Sequence, residues 1–136
     1  MPAEAKGTSA ASAKAFVRYW IATLNYSGPS GDSSRLRSLS SPKCVDCDAI
    51  GDFIDAVYQR GGAIAGDGWD IQAVRVIDKD NADRMVLDAL VQVTVQTVTE
   101  AKGKKPRTYP GGRRLKTFWL ARNGSAWRVS KLEQSK

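Results

Sequence analysis

The chain has 136 residues, 42% hydrophobic and 26% charged, with a formal net charge of +7. This is the size and composition of one globular domain that can bury its own core, and no apolar run is long enough to span a bilayer. Histidine is absent, which excludes Ser-His and Cys-His catalysis and any histidine-ligated metal centre.

The polar opening "MPAEAKGT" reads as a loose segment over residues 1–8, a disordered remnant of a tether left after an export signal is removed. Residues 9–136 read as a single domain. From Ser9 to about Asn25, the side chains of Phe16, Tyr19, Trp20, Thr23 and Leu24 recur at helical spacing. "NYSGPSG" then interrupts the helix with Gly and Pro. Asp32 is placed to cap a short second helix carrying Leu36 and Leu39. Ser41-Pro42 opens a third helix beside Cys44, since proline at a first helical position sacrifices no hydrogen bond. That helix carries Ile50, Phe53, Ile54, Val57 and Tyr58 and stops at Gly61-Gly62.

Beyond Gly62 the period falls to two. "WDIQAVRVID" reads as a strand and "DKDNAD" as a turn. Met85 to Val98 reads as one long strand, bent or bulged, with Met85, Leu87, Ala89, Val91, Val93 and Val95 on one face. Asp88, Gln92, Thr94 and Gln96 take the other, which reads as a solvated outer face. Residues 101–113 read as a basic loop, and Asn123-Gly124 as a type I′ hairpin between two final strands. Helices followed by strands give an α+β class: three N-terminal helices packed on a curved antiparallel sheet of four or more strands.

Charge follows the same division. Residues 1–100 hold 10 Lys/Arg against 13 Asp/Glu, a net of −3, whereas residues 101–136 hold 11 against Glu133 alone, a net of +10. Such asymmetry points to an anionic partner. The cations concerned are Lys102, Lys104, Lys105, Arg107, Arg113, Arg114 and Lys116.

The only cysteines form the C-x-x-C pair Cys44 and Cys47. A redox thiolate gains from a helix N-terminus, but Asp46 and Asp48 oppose it, and no β-α-β order precedes the motif. A zinc site needs four ligands, which one copy of this chain does not supply from cysteine and histidine. A disulfide closing a short loop is preferred over two reduced thiols, and it would persist only in an oxidising compartment.

Three helices followed by a sheet ending in W-x-L…N-G-x-x-W-R-V (Trp119, Leu120, Asn123, Gly124, Trp127, Arg128, Val129) resemble the nuclear transport factor 2-like, cystatin-like cone fold. More narrowly, "AFVRYWIATLNY", "LSSPKCVDC" and "GGAIAGDGW" resemble an uncharacterised family of exported actinobacterial lipoproteins. The resemblance covers roughly Ala15 to Leu132. It implies an extracytoplasmic domain, membrane-anchored in its precursor, and it supplies no activity.

Members of the cone fold include ketosteroid isomerase-like enzymes, which use a carboxylate base in an apolar cavity with tyrosine donors. The candidates here are Asp88 with Tyr19, Tyr26 or Tyr58, but they converge on no recognisable geometry in the sequence. Trp20, Phe53, Tyr58, Trp69, Phe118, Trp119 and Trp127 are candidates to line a cone cavity, although filling the core is the preferred account of them. The preferred function is a non-catalytic extracytoplasmic binding or assembly module. Its basic hairpin would meet anionic lipid or a cell-wall polymer, and the open sheet face could pair two copies or hold a protein partner. A small-molecule isomerase or hydrolase built on Asp88, and a cytosolic nucleic-acid-associated protein, are the alternatives; no nucleic-acid motif is present. No metal or cofactor is called for.

Overall fold

A computed structural model describes residues 1–81, 83–124 and 126–135. Helix α1 (Ala10–Ser30) begins where Ser9 accepts the Ser12 N–H at 3.1 Å, satisfying one orphan donor of the first turn. Its stripe buries Phe16, Val17, Trp20 and Ile21. The helix does not break after Asn25 but continues through Pro29 to Gly31, which takes the left-handed φ of 77° that ends it. The extension is held from outside: the Tyr58 hydroxyl reaches the terminal carbonyls of Gly28 and Pro29 at 2.7 and 2.9 Å.

The N-cap of α2 (Ser34–Ser38) is Ser33 and not Asp32; Asp32, one residue earlier, accepts from the Ser34 N–H and hydroxyl. Helix α3 (Val45–Gln59) starts at Val45 rather than at Pro42. Ser41 to Cys44 instead make a turn, the Cys44 N–H donating to the Ser41 carbonyl at 3.0 Å. Arg37 clasps α2 to α3, its guanidinium lying 2.9 Å from Asp52 and 2.8 Å from Asp55. Hydrogen bonds from Ser33 and then from Arg37 hold the Asp55 carboxyl below its ordinary value.

Within residues 1–8, expected to be loose, Ala5 is buried and the other seven residues are exposed. A 3-10 turn at Ala3–Ala5 buries Ala5 completely, and the Gly7 carbonyl accepts from Arg122. A small apolar side chain against α1 gives this segment burial that its polar composition conceals.

Seven strands follow: β1 (Ala63–Ala65), β2 (Trp69–Asn81), β3 (Arg84–Val93), β4 (Gln96–Thr99), β5 (Arg107–Tyr109), β6 (Gly112–Asn123) and β7 (Ala126–Ser135). They form two antiparallel sheets, β2-β3-β6-β7 and β1-β4-β5, not one. The expected long strand is divided. At Thr94 both the N–H and the hydroxyl turn to the Gly68 carbonyl, at 2.9 and 2.8 Å, so the chain leaves the ladder there. Val95 is consequently 59% exposed instead of facing the core. The basic segment is not wholly loop, since β5 forms an edge strand within it and Arg113 already belongs to β6. The final hairpin pairs Asn123 with Ala126, one residue beyond the expected Asn123-Gly124 turn. Ser125 lies outside the described residues, as does Ala82 in the "DKDNAD" turn.

Helix α1 and the concave face of the four-stranded sheet enclose the main core, with Trp20, Leu87, Phe118, Trp127 and Val129 at its centre. A smaller core of Ile54, Val57, Ile64 and Val98 seals α3 against the three-stranded sheet. Between the two cores, the sheets diverge and leave a cleft.

Candidate functional site

The cleft opens where α1 and α3 face the seam between the sheets. Its volume is about 330 Å³, with Leu24, Ile50, Phe53, Ile54, Trp69 and Val93 among its walls. Position follows from sequence: Ile50, Phe53 and Ile54 lie along one stripe of α3, while Val93 is the last residue of β3 before the sheets part. Trp69 opens β2, and its backbone is clamped by Asn25 of α1. The Asn25 amide donates to the Trp69 carbonyl and accepts its N–H, each at 2.9 Å. Gly68 precedes it at φ 79°, and a Cβ there would collide with the Asn25 amide, so glycine is required both for conformation and for space.

A second hollow of about 220 Å³ shares Ala49, Ile50 and Trp69 with the first and adds Asp46, Lys116, Leu132 and Gln134. Lys116 is its unusual member, being only 3% exposed. Its Nζ donates to Gln134 Oε1 and stands 4.4 Å from the Trp69 ring centroid. Among the described residues no carboxylate lies within ion-pair distance of it. Burial, and secondly the Arg114 charge on the same strand, push its pKa down to about 8. A neutral acceptor and an aromatic face stabilise an ammonium less than an anion would.

The expected site residues fall in separate places. Asp88 is not a solvated surface charge: it is 7% exposed, accepting from the Thr117 hydroxyl at 2.8 Å with Arg75 at 3.9 Å. Arg75 and Thr117 are its direct cross-strand neighbours, so the pair covers it. It occupies the sheet face opposite Leu87 and Ala89, away from the cleft. Tyr19 meets Arg35 on the other side of α1, beside Tyr26. The Tyr58 hydroxyl also accepts the Ile64 N–H, which ties α3 to β1 as well as to α1. Of the aromatic residues considered for a cavity, only Phe53 and Trp69 line the cleft; Trp20, Phe118 and Trp127 are core, and Trp119 lies in a depression elsewhere on the sheet.

Of the seven basic residues, Lys102, Lys104, Lys105, Arg107 and Arg113 are exposed, Arg114 is half-buried, and Lys116 points inward. The signal for Lys116 was available in the alternation, because Lys116, Phe118 and Leu120 share a strand face. Sequence reasoning also missed a cationic depression of about 470 Å³ in which Lys43, Arg84, Arg122 and Arg128 surround Trp119. Strand pairing brings Arg84 to Ala121 and Ala121 to Arg128, a juxtaposition no local motif records.

The chain belongs to a family of unknown function, DUF6318, whose model matches residues 1–133. No curated protein matches it. Among solved structures, the intermembrane space region of the chloroplast protein ARC6 is similar with a TM-score of 0.66 at 11% identity, covering 93% of this chain and 95% of that one. An NTF2-like protein with a cystatin-like fold from Novosphingobium aromaticivorans gives 0.52 at 17% identity, covering 88% and 79%. The hexachlorocyclohexane dehydrochlorinase LinA-type3 from Novosphingobium barchaimii gives 0.56 at 14% identity, covering 90% and 85%. At these identities the likeness shows the fold, an NTF2-like, cystatin-like α+β cone, and a fold carries enzymes and non-enzymes alike.

Proposed function

We propose that this member of the DUF6318 family is a non-catalytic binding module that works outside the cytoplasm and docks through its basic loop on anionic lipid or an anionic envelope polymer. The observation that carries this reading is the state of Lys102, Lys104 and Lys105. All three stand exposed within four residues and make no ion pair among the described residues, whereas Arg107 has Glu100 at 3.9 Å. Unpaired exposed cations in the strongly basic last part of the chain, set against a slightly acidic span over residues 1–100, present a local field to a polyanion.

The compartment is supported by the Cys44–Cys47 disulfide, whose Cα atoms lie 5.2 Å apart, because such a bond persists in oxidising surroundings. The resemblance to exported lipoproteins extends the reading to a membrane tether on the precursor. The isomerase alternative has less support, since Asp88 accepts from Thr117 and lies near Arg75 on the sheet face away from the cleft.

Sedimentation with phosphatidylglycerol vesicles tests the docking. Replacing Lys102, Lys104 and Lys105 by Ala should weaken binding at low salt by roughly a hundredfold, at about 1 kcal/mol for each lysine near the surface. Binding by the native chain should fade as salt rises. Equal binding by the triple variant, or binding indifferent to salt, would remove the basic loop from the function. Tighter binding to an oligonucleotide than to the vesicles would favour the nucleic-acid alternative.

A further inference from the structure

The cleft and the hollow beside it share Ala49, Ile50 and Trp69, so an apolar chamber adjoins a buried ammonium. The chamber is walled by aliphatic and aromatic side chains, and its volume is at the small end of the range for organic ligands. We propose that this paired cavity is a receptor for a small amphipathic carboxylic acid, whose apolar body fills the chamber against Ile50, Phe53 and Trp69 and whose carboxylate pairs with Lys116 Nζ.

Several features select that chemistry. Lys116 is a cation removed from water and left with one neutral acceptor, Gln134 Oε1, and the face of an indole. Such a group is under-compensated, and an incoming anion would restore the partner that the fold omits. A single ammonium balances a single negative charge. A phosphate monoester would bring a second charge into the same apolar surroundings without a second cation inside the hollow, and so would be disfavoured. The charged groups facing Nζ are Arg114 from its own strand and Asp46 from α3. Asp46 is exposed and makes no ion pair with Lys116, so it stands at the rim and does not neutralise the site.

Both elements of the site are fixed before any ligand arrives. Trp69 is held by the two Asn25 hydrogen bonds and packs 6.1 Å from Trp20. Lys116 is fixed by its place in the ladder, opposite Ala89 on one side and Gln134 on the other. Affinity would therefore be lost little to ordering. Lys116 is buried whereas the loop's Lys102, Lys104 and Lys105 are exposed, so each site can fail without the other.

Calorimetry with naphthalene-2-carboxylate and its neutral counterpart 2-naphthalenemethanol, together with 2-naphthyl phosphate, tests the assignment. The native chain should bind the acid at least tenfold more tightly than the alcohol, and more tightly than the phosphate. Lys116→Met should abolish the preference for the acid over the alcohol. In the native chain, acid affinity should decline about tenfold per pH unit above the point where Lys116 loses its proton, with no change for the alcohol; this measurement needs no variant. Equal binding of acid and alcohol, preference for the phosphate, a preference that survives Lys116→Met, a flat pH profile for the acid, or no binding of either compound by the folded chain would each overturn the proposal.

Discussion

Lys116 Nζ stands 4.4 Å above the centroid of the Trp69 ring, with its side chain enclosed between the concave sheet and α3. The contact joins the first residue of β2 to the fifth of β6, and a cation–π pair of this kind is worth about 2 kcal/mol when desolvated. It reduces the cost of burying the charge without cancelling it, since the ammonium still titrates at about 8 instead of 10.5.

That difference sets a pH dependence of stability. In the folded chain Lys116 gives up its proton near 8, and in the unfolded chain near 10.5. Between these values the unfolded state binds more protons, so stability rises with pH. Denaturant melts should show a gain approaching about 3 kcal/mol from pH 8 to pH 10.5, referred to a Lys116→Met control that lacks the effect. Identical profiles for the two chains would mean that the ammonium is solvated.

Replacing Lys116 by Met keeps an unbranched side chain over Trp69 and removes the buried charge. Because apolar replacement of a poorly paired buried ion tends to be neutral or favourable, the variant should be more stable than the native chain by about 1–3 kcal/mol at pH 7. Gln134 loses its partner but is exposed, so water replaces it at little cost. A loss of stability in chemical denaturation would show that the Gln134 and Trp69 contacts outweigh desolvation.

What was legible in the sequence, and what was not, divides along chain distance. The α1 stripe, through Phe16 and Trp20, and the alternation around Leu87, Ala89 and Val91 are local patterns, and both describe the core, although the stripe passes over Ile21, which the core also holds. Pro29 was misleading because proline disfavours helix interiors, and the Tyr58 hydroxyl that steadies the helix end there lies far along the chain. The alternation puts Asp88 on the correct sheet face but does not reveal its burial, since Arg75 and Thr117 arrive from two other strands. The division of the long strand at Thr94 depends on the Gly68 carbonyl, and the Lys43, Arg84, Arg122 and Arg128 depression depends on strand pairing. Lys116 is different: its alternation with Phe118 carries the signal of an inward side chain, but its proximity in sequence to the basic loop groups it with the exposed cations instead.

The Asn25 amide behaves as a short piece of strand for Trp69, making the two hydrogen bonds that a neighbouring β-chain would make. Asn25→Ala should cost about 2 kcal/mol, from two partly buried bonds of about 1 kcal/mol each. Gly68→Ala should cost a similar amount or more, because it adds strain at a positive φ and displaces the same amide. Since both act on one clamp, the double variant should be less destabilised than the two single losses added together. Strict additivity in equilibrium unfolding would show that the residues act independently.

Asp88 is predicted to be structural. Asp88→Ala removes the acceptor of a buried Thr117 hydroxyl and should lower stability by about 1–3 kcal/mol. Binding of naphthalene-2-carboxylate should not change, because Asp88 lies on the sheet face away from the cleft. A shift in that affinity without a shift in stability would return Asp88 to the functional site.

The disulfide joins Cys44, the cap of α3, to Cys47 in its first turn. The preceding segment is hydrogen-bonded to β7, with the Ser41 N–H donating to the Val129 carbonyl at 2.8 Å and the Val129 N–H to the Leu39 carbonyl at 3.0 Å. The bond therefore closes a turn whose other end is already anchored to the sheet, and its loop is short. The chain-entropy relation gives only about 2 kcal/mol for so small a ring. Replacing both cysteines by Ser should lower stability by that amount or less and leave the sheet's slow hydrogen exchange intact, with faster exchange confined to the start of α3. Protein recovered from an oxidising compartment should have an intact mass two hydrogens below the reduced mass and take up no thiol label after unfolding. Two labelled thiols in that material would mean that the bond does not form where it should be stable, and the extracytoplasmic assignment would lose its chemical support.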